Sequence, residues 1–351
     1  MSVTFREPIR IGIVGLGRAG WGMHCRELES LPALYRIVAV CDPLKDRRDL
    51  AVARYGCRAY RRYEDLLADG EIELVDIATR SDDHLAHVVA ALKTRKWVNV
   101  ETPMCLHYEE ALVLRAAAIK AGNRLCVRHN ERFDPGFLHV REIIRSGILG
   151  EVYDIKLRRG EFQRRDDWQT VNRCGGGQLL NSGPHVIDHA QQLLGAPAVR
   201  IFSDLKRVAA MGDAEDYVRI VLRSADRLTV DLEISGGRVM KEPECLATGT
   251  QGALSLAGGT VNLRFLDPRQ KRARRRASVR TPPLAGFETP DSLNWVSESM
   301  PVAPKASGGP TVIWEHLAAA IRLNKPYPVT LDEAVDVMRI ISLVRKDASF
   351  A

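Results

Sequence analysis

The chain has 351 residues, too many for one ordinary core and enough for two domains with a cleft between them. Lys and Arg number 51 against 44 Asp and Glu, a net +7, which is too mild and dispersed for a nucleic-acid binder yet enough to steer an anionic ligand. Seven scattered cysteines without a Cys-x-x-Cys pair argue against a disulfide framework or thiolate zinc site, and neither an apolar leader nor a membrane-length apolar run is legible, so a soluble cytoplasmic protein is expected.

Short apolar β-rich runs alternate with helical ones through the first third. Strands are expected over 9–14, 37–41, 74–78, 97–100 and 125–127, and helices over 19–30, 46–55, 84–93 and 108–121. That alternation yields a parallel sheet covered on both faces. Residues 1–128 are therefore assigned to a Rossmann domain.

Its central motif is Gly15-Leu16-Gly17-Arg18-Ala19-Gly20, directly after the first strand and at the start of a helix. Gly15 permits the tight turn, Gly17 lets backbone approach a pyrophosphate, and Gly20 allows close helix packing. The phosphates then sit on amides at the helix start. Asp42 ends the second strand, 22 residues beyond Gly20, where a carboxylate meets a ribose diol. It would repel a 2′-phosphate, which favours NAD, although Lys45, Arg47 and Arg48 leave NADP open.

After about residue 130 the alternation stops. Helices are expected over 135–146 and 185–194, each followed by a glycine. Between 151 and 267 several runs of period-two or β-branched character, separated by Gly, Asp and Ser turns, describe an open and largely antiparallel sheet. The basic run 269–276 reads as a solvated hairpin tip and 281–310 as a long surface loop. Helices over 314–323 and 331–344 close the chain, with the option of packing back on the first domain. The fold class is thus an α/β Rossmann domain plus an α+β domain, 129–351, for substrate binding and oligomerisation.

Further stretches follow in one order. They are Val75-Asp76-Ile77-Ala78-Thr79 with His84, Val100-Glu101-Thr102-Pro103, and Asn130 with Arg132-Phe133-Asp134-Pro135. Gly147 to Val152, Trp168, Gly175-Gly176-Gly177 through His185 with Asp188, and Tyr327 to Ala334 complete the series. With these residues the chain resembles, over nearly its whole length, the glucose-fructose oxidoreductase, inositol dehydrogenase and rhizopine catabolism (Gfo/Idh/MocA) family. The resemblance implies that nicotinamide lies at the mouth of the Rossmann sheet, near Thr79, His84, Glu101, Thr102 and Asn130. A small polyhydroxylated substrate would be sheltered between it and the open sheet. It also implies a homo-oligomer, dimer or tetramer, through that sheet, whose apolar open face would need cover. No nucleic-acid or membrane partner and no metal is expected.

Where the family usually carries the Lys of Glu-Lys-Pro, an Asp and a His for proton work, this chain has Thr102, Asn181 and His185. Threonine and asparagine orient a hydroxyl without taking its proton, whereas histidine ordinarily titrates near neutrality. The resemblance therefore assigns His185 the proton, with Asn181 and Thr102 as catalytic companions. His185, Asp188 and His189 can share a helix face. Arg132, Arg158, Trp168, Asn181 and His185 are candidates to touch substrate. Arg158, Arg164 and Arg165 are also candidates to meet a carboxylate or phosphate on it. Two other readings stay open: a dinucleotide-binding regulatory protein without turnover, and redox-neutral elimination or hydrolysis through transient oxidation with tightly held NAD.

Overall fold

The computed structural model describes residues 7–271, 279, 292–302 and 309–347. Six parallel strands form the first sheet: β1 (Ile9–Val14), β2 (Tyr35–Cys41), β3 (Arg58–Tyr60), β4 (Leu74–Ile77), β5 (Trp97–Val100) and β6 (Leu125–Val127). Their order is β3-β2-β1-β4-β5-β6, so the sheet reverses direction between β1 and β4, where doubly wound sheets open a ligand crevice. Strands buried on both faces read as continuous apolar runs, and in β1 every residue but Arg10 is buried.

The intervening helices are α1 (Cys25–Glu29), α2 (Lys45–Tyr55), α3 (Tyr63–Ala68), α4 (His84–Lys93) and α5 (Tyr108–Lys120). The helix expected over 19–30 opens as a π turn, Gly20–His24, before α1, and His24 in that turn is fully buried. Neither β3 nor α3 has a counterpart in the expected set. Three residues at a sheet edge, none of them buried, leave no period to read.

In the second part, α6 (Pro135–Arg145), α7 (Gln178–Asn181) and α8 (Gly183–Leu194) pack near one face of an eight-stranded sheet. Its strands are β7 (Val152–Gly160), β8 (Ala198–Lys206), β9 (Tyr217–Ser224), β10 (Thr229–Ser235), β11 (Cys245–Gly249), β12 (Gly252–Ala257), β13 (Thr260–Leu266) and β14 (Trp295–Pro301). The order is β14-β13-β12-β11-β7-β10-β9-β8, antiparallel except for the parallel β7–β10 pair. The loop expected over 281–310 is corrected at β14, which pairs with β13. Only Val296 and Met300 of that strand pack on the core, too few to give a strand signal. Residues 272–276 of the basic run, and 281–291 and 303–308 of the expected loop, lie outside the described residues.

An apolar open face is also corrected. Across β7, β10 and β9 it carries Arg158 and Arg219, 2.9 and 3.0 Å from Asp231. Among the described residues no helix is long and apolar enough to cross a membrane.

Two closing helices, α9 (Val312–Leu323) and α10 (Leu331–Asp347), join the parts. α10 packs against α5 and α8. α9 inserts Trp314, 1% exposed, with its ring edge-on to His24 and Tyr35 at 5.5 and 5.6 Å. Its Nε1–H donates to Glu27 at 2.6 Å, and its carbonyl accepts from the Tyr35 hydroxyl at 2.6 Å.

Because Trp314 fills this junction, Trp314→Ala is expected to cost about 3–5 kcal/mol in urea unfolding. A loss below about 1 kcal/mol would show that α9 is an accessory to the first domain.

Candidate active site

Three glycines of the loop after β1 have different reasons to lack a side chain. Gly15 has φ +89°, and a Cβ there would lie 2.6 Å from the Ala78 carbonyl oxygen. A Cβ on Gly20 would lie 1.9 Å from the Gly15 oxygen. The chain's own packing requires both. Gly17 is different, since the nearest atom to its Cβ would be Arg47 Nη1 at 3.9 Å. That leaves room beside Gly17 and the backbone of Leu16, Arg18 and Ala19 for a pyrophosphate lying on the helix start.

Asp42 is buried, 2% exposed, because it already braces this loop. One carboxylate oxygen accepts the Leu16 amide at 2.8 Å and the other the Leu44 amide at 2.9 Å. Carboxylate oxygens have further lone pairs for a ribose hydroxyl. Arg47 approaches the same carboxylate at 3.4 Å while standing beside Gly17, so a cation shares the ribose end of the cradle with the acid.

On the far side of the crevice, Thr79 Oγ1 bonds His87 Nδ1 at 3.1 Å. His84 is turned inward, a correction to its expected place beside the cofactor. It is 1% exposed, with its nitrogens 2.7 Å from the Pro103 carbonyl and 3.2 Å from the Thr79 carbonyl. Burial lowers its pKa. His84 thus ties the β4 loop to the turn after β5.

Beneath that turn lies a cluster the sequence reading missed. His24 Nδ1 and Nε2 are each 2.7 Å from a carboxylate oxygen, of Asp76 and Glu101 respectively. Asp76 also accepts from Asn99 at 2.7 Å. Arg128 pairs with Glu27, lies 3.3 Å from Glu101, and stacks on the Trp314 ring at 5.2 Å. Burial alone would push Glu101 up, but His24, Arg128 and His185 override it and hold the carboxyl far below its ordinary range. The other Glu101 oxygen accepts the Thr102 amide at 2.8 Å.

Thr102 Oγ1 then lies 3.1 Å from His185 Nε2, so the fold brings these two predicted residues together across the domain boundary. Asn181, at the end of α7, accepts from Gln169 Nε2 at 2.8 Å through its Oδ1. That leaves its amide nitrogen to donate outward. Trp168, on a short turn, is covered by Arg80 at 5.6 Å. Asn130 opens the turn after β6, Asn130–Phe133. His185 Nδ1 and the Nδ1 of neighbouring His129 are buried without a protein partner, and the two rings meet edge-on at 6.3 Å. Burial lowers His129 to about 4 and keeps it neutral. Burial opposes charge on Glu131 too, but His185 and Arg159 hold that carboxyl low.

Other predicted residues are committed elsewhere. Arg132 is 4% exposed and engages Asp188, Glu333 and the Pro328 carbonyl, so its guanidinium locks α8 to the segment before α10. This also removes Asp188 from any trio with His185, and His189 stacks on Phe137 at 3.8 Å. Arg158 is spent on Asp231, and Arg165 on Asp167 and Gln169. Arg164 is exposed, with a contact to Met211. Among the described residues no cluster of three His, Cys, Asp or Glu could hold a metal.

The missed cluster did leave a trace: Asp76 and Asn99 are polar residues inside otherwise apolar buried strands, and Arg128 and His129 follow a third.

A glycine-rich loop at the switch point of the first sheet, and a histidine that meets Thr102 across the domain boundary, are parts a nicotinamide-dependent oxidoreductase needs. Residues 9–129 match the model of the oxidoreductase family with an NAD-binding Rossmann fold, and residues 137–255 match the GFO/IDH/MocA C-terminal domain. The chain belongs to the GFO/IDH/MocA oxidoreductase family and is a dehydrogenase or reductase acting on CH–OH groups. An uncharacterized oxidoreductase of Schizosaccharomyces pombe is 30% identical over 70% of this chain and 69% of its own. The scyllo-inositol 2-dehydrogenase (NADP(+)) IolW of Bacillus subtilis is 25% identical over 95% of this chain and 92% of its own. In fold, the putative oxidoreductase yvaA of Bacillus subtilis superposes with TM-score 0.83 at 21% identity, covering 97% of this chain and 96% of that one.

The glycine geometry separates folding from binding. Gly17→Ala is expected to change stability by less than about 0.5 kcal/mol and to weaken NAD binding at least about tenfold by calorimetry. Gly20→Ala is expected to lose about 1–3 kcal/mol of stability from overpacking. Equal stability losses in both would contradict a ligand role for Gly17.

Proposed function

We propose that the chain moves a hydride between nicotinamide and a hydroxyl or keto carbon of a sugar, cyclitol or related polyol. In this reading residues 1–128 hold the dinucleotide, NAD in preference to NADP, residues 129–351 hold the substrate, and His185 handles the proton. The observation that supports it is the 3.1 Å contact of His185 Nε2 with Thr102 Oγ1, which joins a histidine of the second domain to the turn after β5.

Gly15, Leu16, Gly17, Arg18, Ala19 and Gly20 would hold the pyrophosphate, Asp42 the adenosine ribose, and Thr79, Glu101, Thr102 and Asn130 the nicotinamide end. The bound nicotinamide accepts hydride in oxidation and supplies it in reduction. During oxidation Thr102 Oγ1 and the Asn181 amide fix the substrate oxygen, and His185 Nε2 takes its proton. His129 beside His185 is neutral and adds no charge of its own. In reduction His185 returns the proton to the same oxygen.

Neutral polyols fit better than uronates, because Arg132, Arg158, Arg159 and Arg165 are each paired with a carboxylate of the chain. The polyol named for the Bacillus subtilis relative supports this class. The same name carries NADP, and Arg47 beside Asp42 allows it. A homo-oligomer through the open sheet, whose face across β7, β10 and β9 is polar, completes the proposal. Free cysteines, six of them buried, support a reducing, cytoplasmic setting.

In a panel of neutral sugars and cyclitols, net reduction of NAD is expected, with weaker turnover of the matching uronates. His185→Ala should lower kcat by about 10²–10⁴-fold while binding NAD as wild type does. Wild-type rates in that variant at every pH would end the assignment.

A further inference from the structure

His24 has no task in the proposed chemistry, yet it lies at the middle of a chain of hydrogen bonds that passes through Thr102 to His185. Asn99 to Asp76 is 2.7 Å, Asp76 to His24 2.7 Å, His24 to Glu101 2.7 Å, Glu101 to the Thr102 amide 2.8 Å, and Thr102 Oγ1 to His185 3.1 Å. Resting on that chemistry, we propose that His24 is a positioning residue for proton transfer: clamped as an imidazolium between Asp76 and Glu101, it fixes Glu101, and through it Thr102, against His185.

The stereochemistry argues for the charged ring. Ionised carboxylates only accept, so with one of them 2.7 Å from each ring nitrogen the doubly protonated ring is the form that donates to both. A neutral ring donating from Nδ1 would instead accept the Arg128 Nε–H at Nε2 and turn a lone pair toward Glu101, loosening its hold on that carboxylate. If Glu101 were released, its second oxygen would no longer anchor the Thr102 amide.

Groups from every packed element face the ring. Asp76 comes from β4 and Glu101 from the turn after β5. Arg128, after β6, points its Nε–H at His24 Nε2 from 3.0 Å, competing with Glu101 for that nitrogen, and is backed by Glu27 of α1. Trp314 of α9 gives an aromatic edge. Three carboxylates thus surround two cations. Burial opposes the charge on His24, as does Arg128, but Asp76 and the bonds to both carboxylates raise it to about 9. An unfolded histidine titrates near 6.5, so the stabilisation is full below about pH 6.5 and is lost as pH rises through about 9.

Nitrogen-15 histidine NMR on the full chain without cofactor tests this directly. At pH 7 both His24 ring nitrogens are expected to be protonated, and the His185 signals should shift over the same alkaline range in which His24 loses its proton. With NAD and a polyol that is turned over, kcat should fall along that limb while the KM for NAD holds. His24→Gln should remove the limb and lower kcat on the order of 10²-fold, the scale of a small misplacement. A neutral His24 at pH 7, or His185 signals blind to its titration, overturns the proposal, and the wild-type spectra decide even if the variant does not fold. If no polyol is turned over, the functional reading fails while the NMR arm still judges the clamp.

Discussion

Buried charge beneath the turn after β5 is the constraint on which this structure depends. Asp76, Glu101, Glu27, His24 and Arg128 are all taken out of bulk water, and isolated ions in such a place would be prohibitively costly. Each is tolerable only because its neighbours supply both opposite charge and hydrogen bonds. The arrangement draws on the ends of β4, β5 and β6, on α1 and, through Trp314, on α9. A buried ion cluster of this kind is weak evidence for stability but a strong specifier of geometry. The geometry it specifies runs from Asp76 to His185.

That dependence explains how two domains share one site. The first domain supplies Thr102 on a turn held from below by Glu101 and from behind by His84. The second supplies His185 and Asn181 from α7 and α8, which Glu215 anchors by accepting the Leu179 amide at 3.0 Å. Arg132, locked to Asp188 and Glu333, holds α8 to the first turn of α10. None of these supports touches substrate in the proposed chemistry. They restrict the motion of groups that do, which is how preorganised sites lower the cost of reaching the reactive geometry.

Much of the fold was legible because parallel strands buried on both faces are uniformly apolar and punctuated by helices. β1, β5 and β6 fall where the apolar runs stand. The loop after β1 was legible because Gly15 and Gly20 answer to local backbone geometry. What escaped had nonlocal causes. β14 is an edge strand whose stability comes from pairing with β13 rather than from its own polar sequence. Arg132 and Arg158 looked available because a sequence does not show that Asp188 and Asp231 face them. The role of His24 needs three strand ends brought together, although Asp76 and Asn99 within apolar strands were a hint. Thr102 with His185 was readable only through family resemblance, and their contact only from the structure.

In the proposed reaction His185, steadied by Thr102, handles the proton of a polyol oxidised by nicotinamide. A crystal structure of the chain with NAD and a bound polyol tests it most directly. The account predicts the reacting oxygen within about 3 Å of His185 Nε2 and also in contact with Thr102 Oγ1. A reacting oxygen bonded to a different titratable side chain, with His185 out of hydrogen-bonding reach, would contradict it.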